Sequence, residues 1–312
     1  MSTAPNQSTT VAIASGYQRR ELIRASLRAL GNNLTEQIKR ARHIFIHPNL
    51  VMHLKKAACT PGEAVAAVVD YVAPLAGGEI LVGDAAYHGT KLALRRLGYG
   101  ALAKSGAVKL VDLNDDKTIE AFAYTADLQK RPISFSKIVA ESDLNIVVVP
   151  AKMHKYYTVS FSIKTHIVGS MVVPRSLLGL HERWPWLHTS YRAAHRTLAE
   201  VYAEHPAGLA LIDGTQAMEG NGPTSGRRVD LGWLIASQNP VAADGLAAWL
   251  MGFRPDDIGY LHHLEAKGLG PIDPADMRII GSDGKPLAAD AVAGLRRELA
   301  KPNTYPAILD WR

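Results

Sequence analysis

The chain has 312 residues, 47% of them hydrophobic, 7% aromatic and 21% charged, with a formal net charge of +6 and one cysteine, Cys59. That composition supports a buried core in one large domain or two smaller ones and excludes global disorder. A lone cysteine excludes an internal disulfide, a cysteine-built zinc site and a thiolate-held iron–sulfur cluster, and it suits a reducing cytoplasm.

Residues 1–16 are rich in Ser, Thr and Ala and are expected to be a flexible start. Residues 17–42 follow as a basic helical segment. Leu22, Ile23, Leu27 and Leu30 form an apolar stripe, and Arg20, Arg24 and Arg28 recur every four residues on another face. Residues 18–56 hold nine Lys or Arg against two acids, which exceeds the net charge of the whole chain. The basic balance is therefore local, and no nucleic-acid footprint is expected. Lacking a large aromatic, the stripe favours packing on its own domain over a membrane surface. Arg19-Arg20 resembles a twin-arginine signal, but the charges that follow leave no apolar region. No run approaches the ~20 apolar residues of a membrane span. A soluble cytoplasmic protein is the expectation, with homo-oligomerisation left open.

From residue 43 a β-then-α rhythm sets in. Strands are predicted over His43–His47, Glu79–Gly83, Val108–Leu113, Lys137–Ala140 and Leu144–Val149, and helices over Thr60–Ala76 and Thr90–Leu97. A helix over Thr189–Glu204 precedes a strand at Leu209–Ile212. Beyond a glycine-rich loop come a strand at Leu231–Ala236, helices over Pro240–Met251 and Pro255–Lys267, a strand at Met277–Ile280 and a helix over Ala288–Leu299. Short continuous Val/Ile/Leu runs are strands buried on both faces. The predicted fold is α/β: mostly parallel sheet covered by helices over residues 43–312, undivided or split near 150–190 into two α/β subdomains with a crevice between them. In such sheets ligands sit beyond the carboxyl ends of the strands. That rule points to Asn49, Asp84–Gly89 and Lys152–Lys164.

Four constellations could carry chemistry. Lys152-Met153-His154, with Lys164 ten residues on, would form an electropositive pocket for a carboxylate or phosphate, with His154 titrating near neutrality. His88 lies in a strand-to-helix loop that could face the same crevice. His181, His188 and His195 include no HxxxH or HExxH pair, yet separated histidines can converge on a metal, so a divalent ion at His181 is an open alternative. Asp213-Gly214 and Glu219-Gly220-Asn221-Gly222-Pro223 combine carboxylates with amides able to hold an anion. Each also has a plain structural reading: surface lysines, a loop histidine, core histidines and a glycine-shaped turn. No Walker loop, dinucleotide fingerprint or nucleophile elbow is present.

The stretch Ile212–Pro223, with its Glu-Gly-Asn-Gly-Pro, resembles the signature of the uncharacterised prokaryotic family catalogued as domain of unknown function 362. So do Asn239-Pro240-Val241-Ala242-Ala243-Asp244 and, upstream, Pro150, Lys152-Met153-His154 and Lys164-Thr165. The resemblance covers about residues 43–281. This chain departs from the pattern at His47, Met153 and Thr165, where the family usually has Lys, Thr and Asn. It also lacks the cysteine clusters of many relatives, so no electron-transfer role is implied. A second resemblance, in spacing alone, is to the nickel-pincer lactate racemase family. His88, His154, Lys164 and His181 follow its order, which implies an acid/base histidine pair, a cofactor-bearing lysine and a nickel-ligating histidine.

The functional expectation is an enzyme acting on a small carboxylate-type anion by proton or hydride transfer, of isomerase, epimerase, racemase or lyase type. Its catalytic residues would be His154, Lys164, His88 and Glu219, and its substrate-binding residues Lys152, Asn49, Asn221 and Asp213. The alternative is a non-catalytic anion- or metal-binding protein.

Overall fold

A computed structural model of the chain describes residues 9–172, 187–188, 190–305 and 307–312. Its strands are β1 (Thr10–Ser15), β2 (His43–Pro48), β3 (Glu79–Asp84), β4 (Lys109–Asp112), β5 (Thr118–Tyr124), β6 (Lys130–Ser136), β7 (Leu144–His154), β8 (Thr158–Val159), β9 (Met171–Val172), β10 (Leu209–Glu219), β11 (Arg227–Val229), β12 (Trp233–Ser237) and β13 (Arg278–Ile280). The helices are α1 (Arg19–Ala29), α2 (Gly31–Arg40), α3 (Gly62–Val72), α4 (Thr90–Arg96), α5 (Gly100–Lys104), α6 (Lys137–Glu141), α7 (Ser162–Ser170), α8 (Tyr191–Glu204), α9 (Pro240–Leu250), α10 (Gly259–Ala266) and α11 (Ala289–Ala293).

One sheet organises the chain, in the order β13-β1-β12-β10-β7-β2-β3-β4, with β8 and β11 paired to β7 and β10. Within that path only β12 pairs antiparallel with its neighbours. Strands from both sides of residues 150–190 thus share one sheet. A second, three-stranded antiparallel sheet is built by β5, β6 and β9.

Alternate side chains of each central strand enter opposite cores, which is why the strands are apolar throughout. Ile44, Ile46, Ile146, Val148, Leu209 and Leu211 meet α1 to α4 on one face. Phe45, Val147, Val149, Ala210 and Ile212 meet α7 to α10 on the other. Pro150 sits inside β7, beyond the last pairing of β7 with β2 at Pro48↔Val148, so its missing N–H costs no bond on that side.

Several elements differ from the sequence expectation. Of the expected flexible start, Thr10–Ser15 is instead a buried strand held between β12 and β13, and residues 1–8 lie outside the described residues. Its alternating Val11, Ile13 pattern outweighs the Ser/Thr/Ala composition. The run Lys137–Ala140 is helical rather than extended: Ser136 Oγ accepts from Val139 N at 3.3 Å, and Asp116 accepts from Ile138 N at 2.9 Å. The β5–β6 hairpin was not anticipated, since its outward positions mix polar residues with Phe122 and Pro132 and its inward ones include two alanines. The last helix stops at Ala293, and the chain is then pulled aside where Arg297 N donates to Leu250 O.

The basic segment behaves as a packed face. Arg20 and Arg24 both reach Asp70 on α3, and Arg19 bridges Glu63 and Asp213, the latter at 2.5 Å.

Candidate active site

The strand order reverses at β2: β3 follows it on one side, while β7 returns to its other side. Such a switch point opens a crevice at the carboxyl ends. Here that place holds Asn49 after β2, Asp84 at the end of β3 and Lys152 on β7. Helix α7, coming back from β7 by way of β8, covers it and contributes Lys164, Thr165 and Gly169. Asn49, Asp84, Tyr87, Lys164, Thr165 and Gly169 line one small cavity of about 30 Å³.

Lys152 is fully buried and sits behind the cavity wall. Its ammonium donates to Asn49 Oδ1 at 3.1 Å and to Ala58 O at 2.5 Å. Burial pushes the Lys152 amine down to about 8, against the opposing pull of Cys59 and Asp84. With its Oδ1 so fixed, Asn49 turns its Nδ2 to donate to Thr165 Oγ1 at 2.8 Å. The expected anion-binding lysine therefore serves as the brace of Asn49.

Asp84 receives Leu50 N at 2.8 Å on Oδ2, and His47 Nε2 stands 3.3 Å from Oδ1. Gly169 makes this approach possible: a Cβ there would collide with both Asp84 Oδ1 and His47 Nε2. The strand-end rule pointed to Asp84 without giving it a role, and His47 stood out only as a departure from the family pattern.

His154 lies at the end of β7, where its Nδ1 accepts from Tyr156 N at 3.0 Å and Tyr157 N at 3.2 Å. The neutral ring then carries its proton on Nε2, a buried atom with no partner among the described residues. Burial, then the charges of Lys164 and His188, hold the imidazole well below its ordinary value, so it is neutral at pH 7. Tyr157 joins the two groups: its ring centre is 5.1 Å from that of His154 and 5.9 Å from Lys164 Nζ. Helix α7 is itself clamped by Asp244 of α9. This carboxylate accepts from Ser162 N (3.0 Å), Ser162 Oγ (2.5 Å), Ile163 N (3.1 Å) and Tyr260 Oη (3.0 Å), and burial still pushes it up to about 6.

The remaining expected residues do not converge on this crevice. His88 stacks edge-on with Tyr87 at 4.7 Å and acts electrostatically on His53; it is absent from the charges acting on His154. Asp213 is taken by Arg19 and by Thr215 N and Oγ1. Glu219 binds Arg227 and accepts from Ala300 N at 3.0 Å, and Asn221 Oδ1 accepts from Asn303 N at 2.8 Å. Gly222 leaves room for Met153 O, which a Cβ would strike. The Glu-Gly-Asn-Gly-Pro loop thus fastens the C-terminal segment to β7 and β10. His195 is buried and accepts from Tyr260 N, and His188 precedes α8 rather than sharing its face. His181 lies outside the described residues. Among the described residues no three His, Cys, Asp or Glu stand where they could hold a metal ion. No described helix is long and apolar enough to cross a membrane.

The model of the family described as "Domain of unknown function (DUF362)" matches residues 44–249. A thylakoid-associated protein of Synechocystis is 26% identical over 275 residues, covering 85% of this chain and 81% of that protein. Two solved structures are similar. One is the lactate racemase apoprotein of Thermoanaerobacterium thermosaccharolyticum, with TM-score 0.49 and 11% identity over 80% of this chain. The other is a Thermotoga maritima protein, with TM-score 0.41 and 13% identity over 71%. The match spans 59% and 56% of those two chains, under two thirds of either.

Proposed function

The chain belongs to the DUF362 family, and we propose that its switch-point crevice binds a small carboxylate-type anion and moves a proton on it. The observation that carries this reading is the convergence of Lys164, Thr165 and Asn49 on one cavity at the strand ends. The Lys164 ammonium supplies charge. The Thr165 oxygen already accepts from Asn49, which leaves its O–H to donate to the ligand. His154, neutral and with its proton on Nε2, acts as the donor that stabilises negative charge developing on a ligand oxygen. His88, next to the cavity-lining Tyr87 but apart from the groups around His154, is given no step. The reaction class is isomerisation, racemisation or a related elimination.

A non-catalytic anion-binding role is the second reading. It is favoured by one observation, the separation of His88 from the groups around His154.

Deuterium incorporation at C2 of a panel of small carboxylates, followed by proton NMR in D₂O, tests both. His154→Ala is expected to lose exchange while still binding, and Lys164→Ala to lose binding. Undiminished exchange in both variants contradicts the assignment. Binding by the unmodified protein with no exchange selects the second reading.

A further inference from the structure

Asp84 is a carboxylate on the wall of a cavity assigned to an anion. Resting on that assignment, we propose that the ligand is a zwitterion, a 2-amino carboxylate whose ammonium sits on Asp84 while its carboxylate meets Lys164 and Thr165.

Asp84 is 4% exposed, so its charge has left bulk water and needs partners. A carboxylate offers about four lone-pair sites. Here the protein fills two of them, with the backbone N–H of Leu50 and, at the longer distance of 3.3 Å, the ring of His47. Among the described residues His47 is the one group in ion-pair range of Asp84, and the buried Lys152 acts on it only from beyond that range. The remaining acceptor capacity lies beside the cavity that Asp84 lines.

The surroundings keep this carboxylate in place. Its backbone oxygen accepts from Thr90 Oγ1 at 2.8 Å, and Thr90 Oγ1 in turn accepts from Ala86 N at 3.0 Å. Gly169 leaves the space that a side chain would take from Asp84 and His47. The cavity thus has two faces of opposite character. Asp84 on β3 can only accept, while Lys164 and Thr165 on α7 present an ammonium and a hydroxyl. A ligand with carboxylate and ammonium on one carbon matches both. A plain carboxylate satisfies only the α7 face and leaves Asp84 facing its own charge.

Titration calorimetry on the full chain with three matched pairs tests this: alanine and propionate, aspartate and succinate, phenylalanine and 3-phenylpropionate. In at least one pair the amino acid is expected to bind at least ten-fold tighter than its deamino partner. Asp84→Asn, nearly isosteric, is expected to reduce that preference to within about two-fold without weakening the deamino acid. Thr165→Val is expected to weaken both members equally, and it guards against a fold defect in the first variant. Deamino acids that bind as tightly as amino acids in every pair overturn the zwitterion while leaving the anion crevice standing. Failure of all six to bind overturns both. Lactate, run beside alanine, overturns the proposal if it binds more tightly.

Discussion

At Lys152, Asn49 and Gly169 single atoms decide the shape of the crevice. Lys152 is a cation that the ligand does not reach, spent instead on Ala58 O and Asn49 Oδ1. Lys152→Met keeps the length but leaves both acceptors unpaired. A loss of about 2–4 kcal/mol is expected from two buried unsatisfied groups, read as a lowered denaturation midpoint. An unchanged midpoint would remove Lys152 from this bracing role. Gly169→Ala should raise helix propensity by about 1 kcal/mol, yet its Cβ strikes Asp84 Oδ1 and His47 Nε2. Net destabilisation is expected, and with it weakened ligand binding; a more stable variant with intact binding would show that the contact is dispensable. The clustering of Lys152, His154 and Lys164 past a buried strand was legible in the sequence. The division of labour among them was not, because it depends on which carbonyl each ammonium meets. Glu219 and Asn221 show the converse: a conspicuous motif whose polar atoms are used up by residues 300–303.

Helix α7 is the element on which the site rides. Asp244, 82 positions beyond Ser162 and absent from the cavity lining, accepts four hydrogen bonds that start the helix and tie it to Tyr260. Asp244→Ala is expected to cost about 3 kcal/mol or more by leaving these donors unpaired. Anion affinity should fall with it, since Lys164 and Thr165 move with the helix. Calorimetric melting and ligand titration together check this, and a variant that melts earlier but binds normally would contradict the positioning role. Most elements were legible from periodicity and capping, as with Pro240 opening α9 under Asn239. The α6 segment and the β5–β6 hairpin were not, because a cap from distant Asp116 and a weakly patterned edge decide them.

Across the whole molecule, buried neutral histidines dominate the pH response. Burial holds His166 and His195 down to about 3, and His154 well below its ordinary value. Between those values and the ordinary 6.5 the unfolded chain binds more protons, so stability is present above pH 6.5 and is lost as pH falls. Asp244, raised to about 6, acts in the opposite sense between about 4 and 6. Three histidines against one aspartate leave two protons, or at most about 3 kcal/mol per pH unit. Scanning calorimetry from pH 8 to 5 should show the melting temperature falling steeply below 6.5; a flat profile would contradict neutral burial. The predominantly parallel sheet could be anticipated from continuous apolar strands, and the strand-end rule then led to the edge where the Asn49–Asp84–Lys164 cavity lies. The place of β1 beside β12 could not, because pairing between residues some 220 positions apart leaves no local trace. Nor did the net charge of +6 foretell that Arg19, Arg20 and Arg24 are held by Glu63, Asp70 and Asp213.

The central claim is that the crevice between β2, β3 and α7 holds a small carboxylate, and a crystal structure of the chain grown with saturating alanine and, separately, propionate tests it most directly. The account predicts a carboxylate within hydrogen-bonding distance, about 3 Å, of Lys164 Nζ and Thr165 Oγ1 in at least one of the two. An ordered ligand bound elsewhere, with this cavity filled only by water in both crystals, would contradict it.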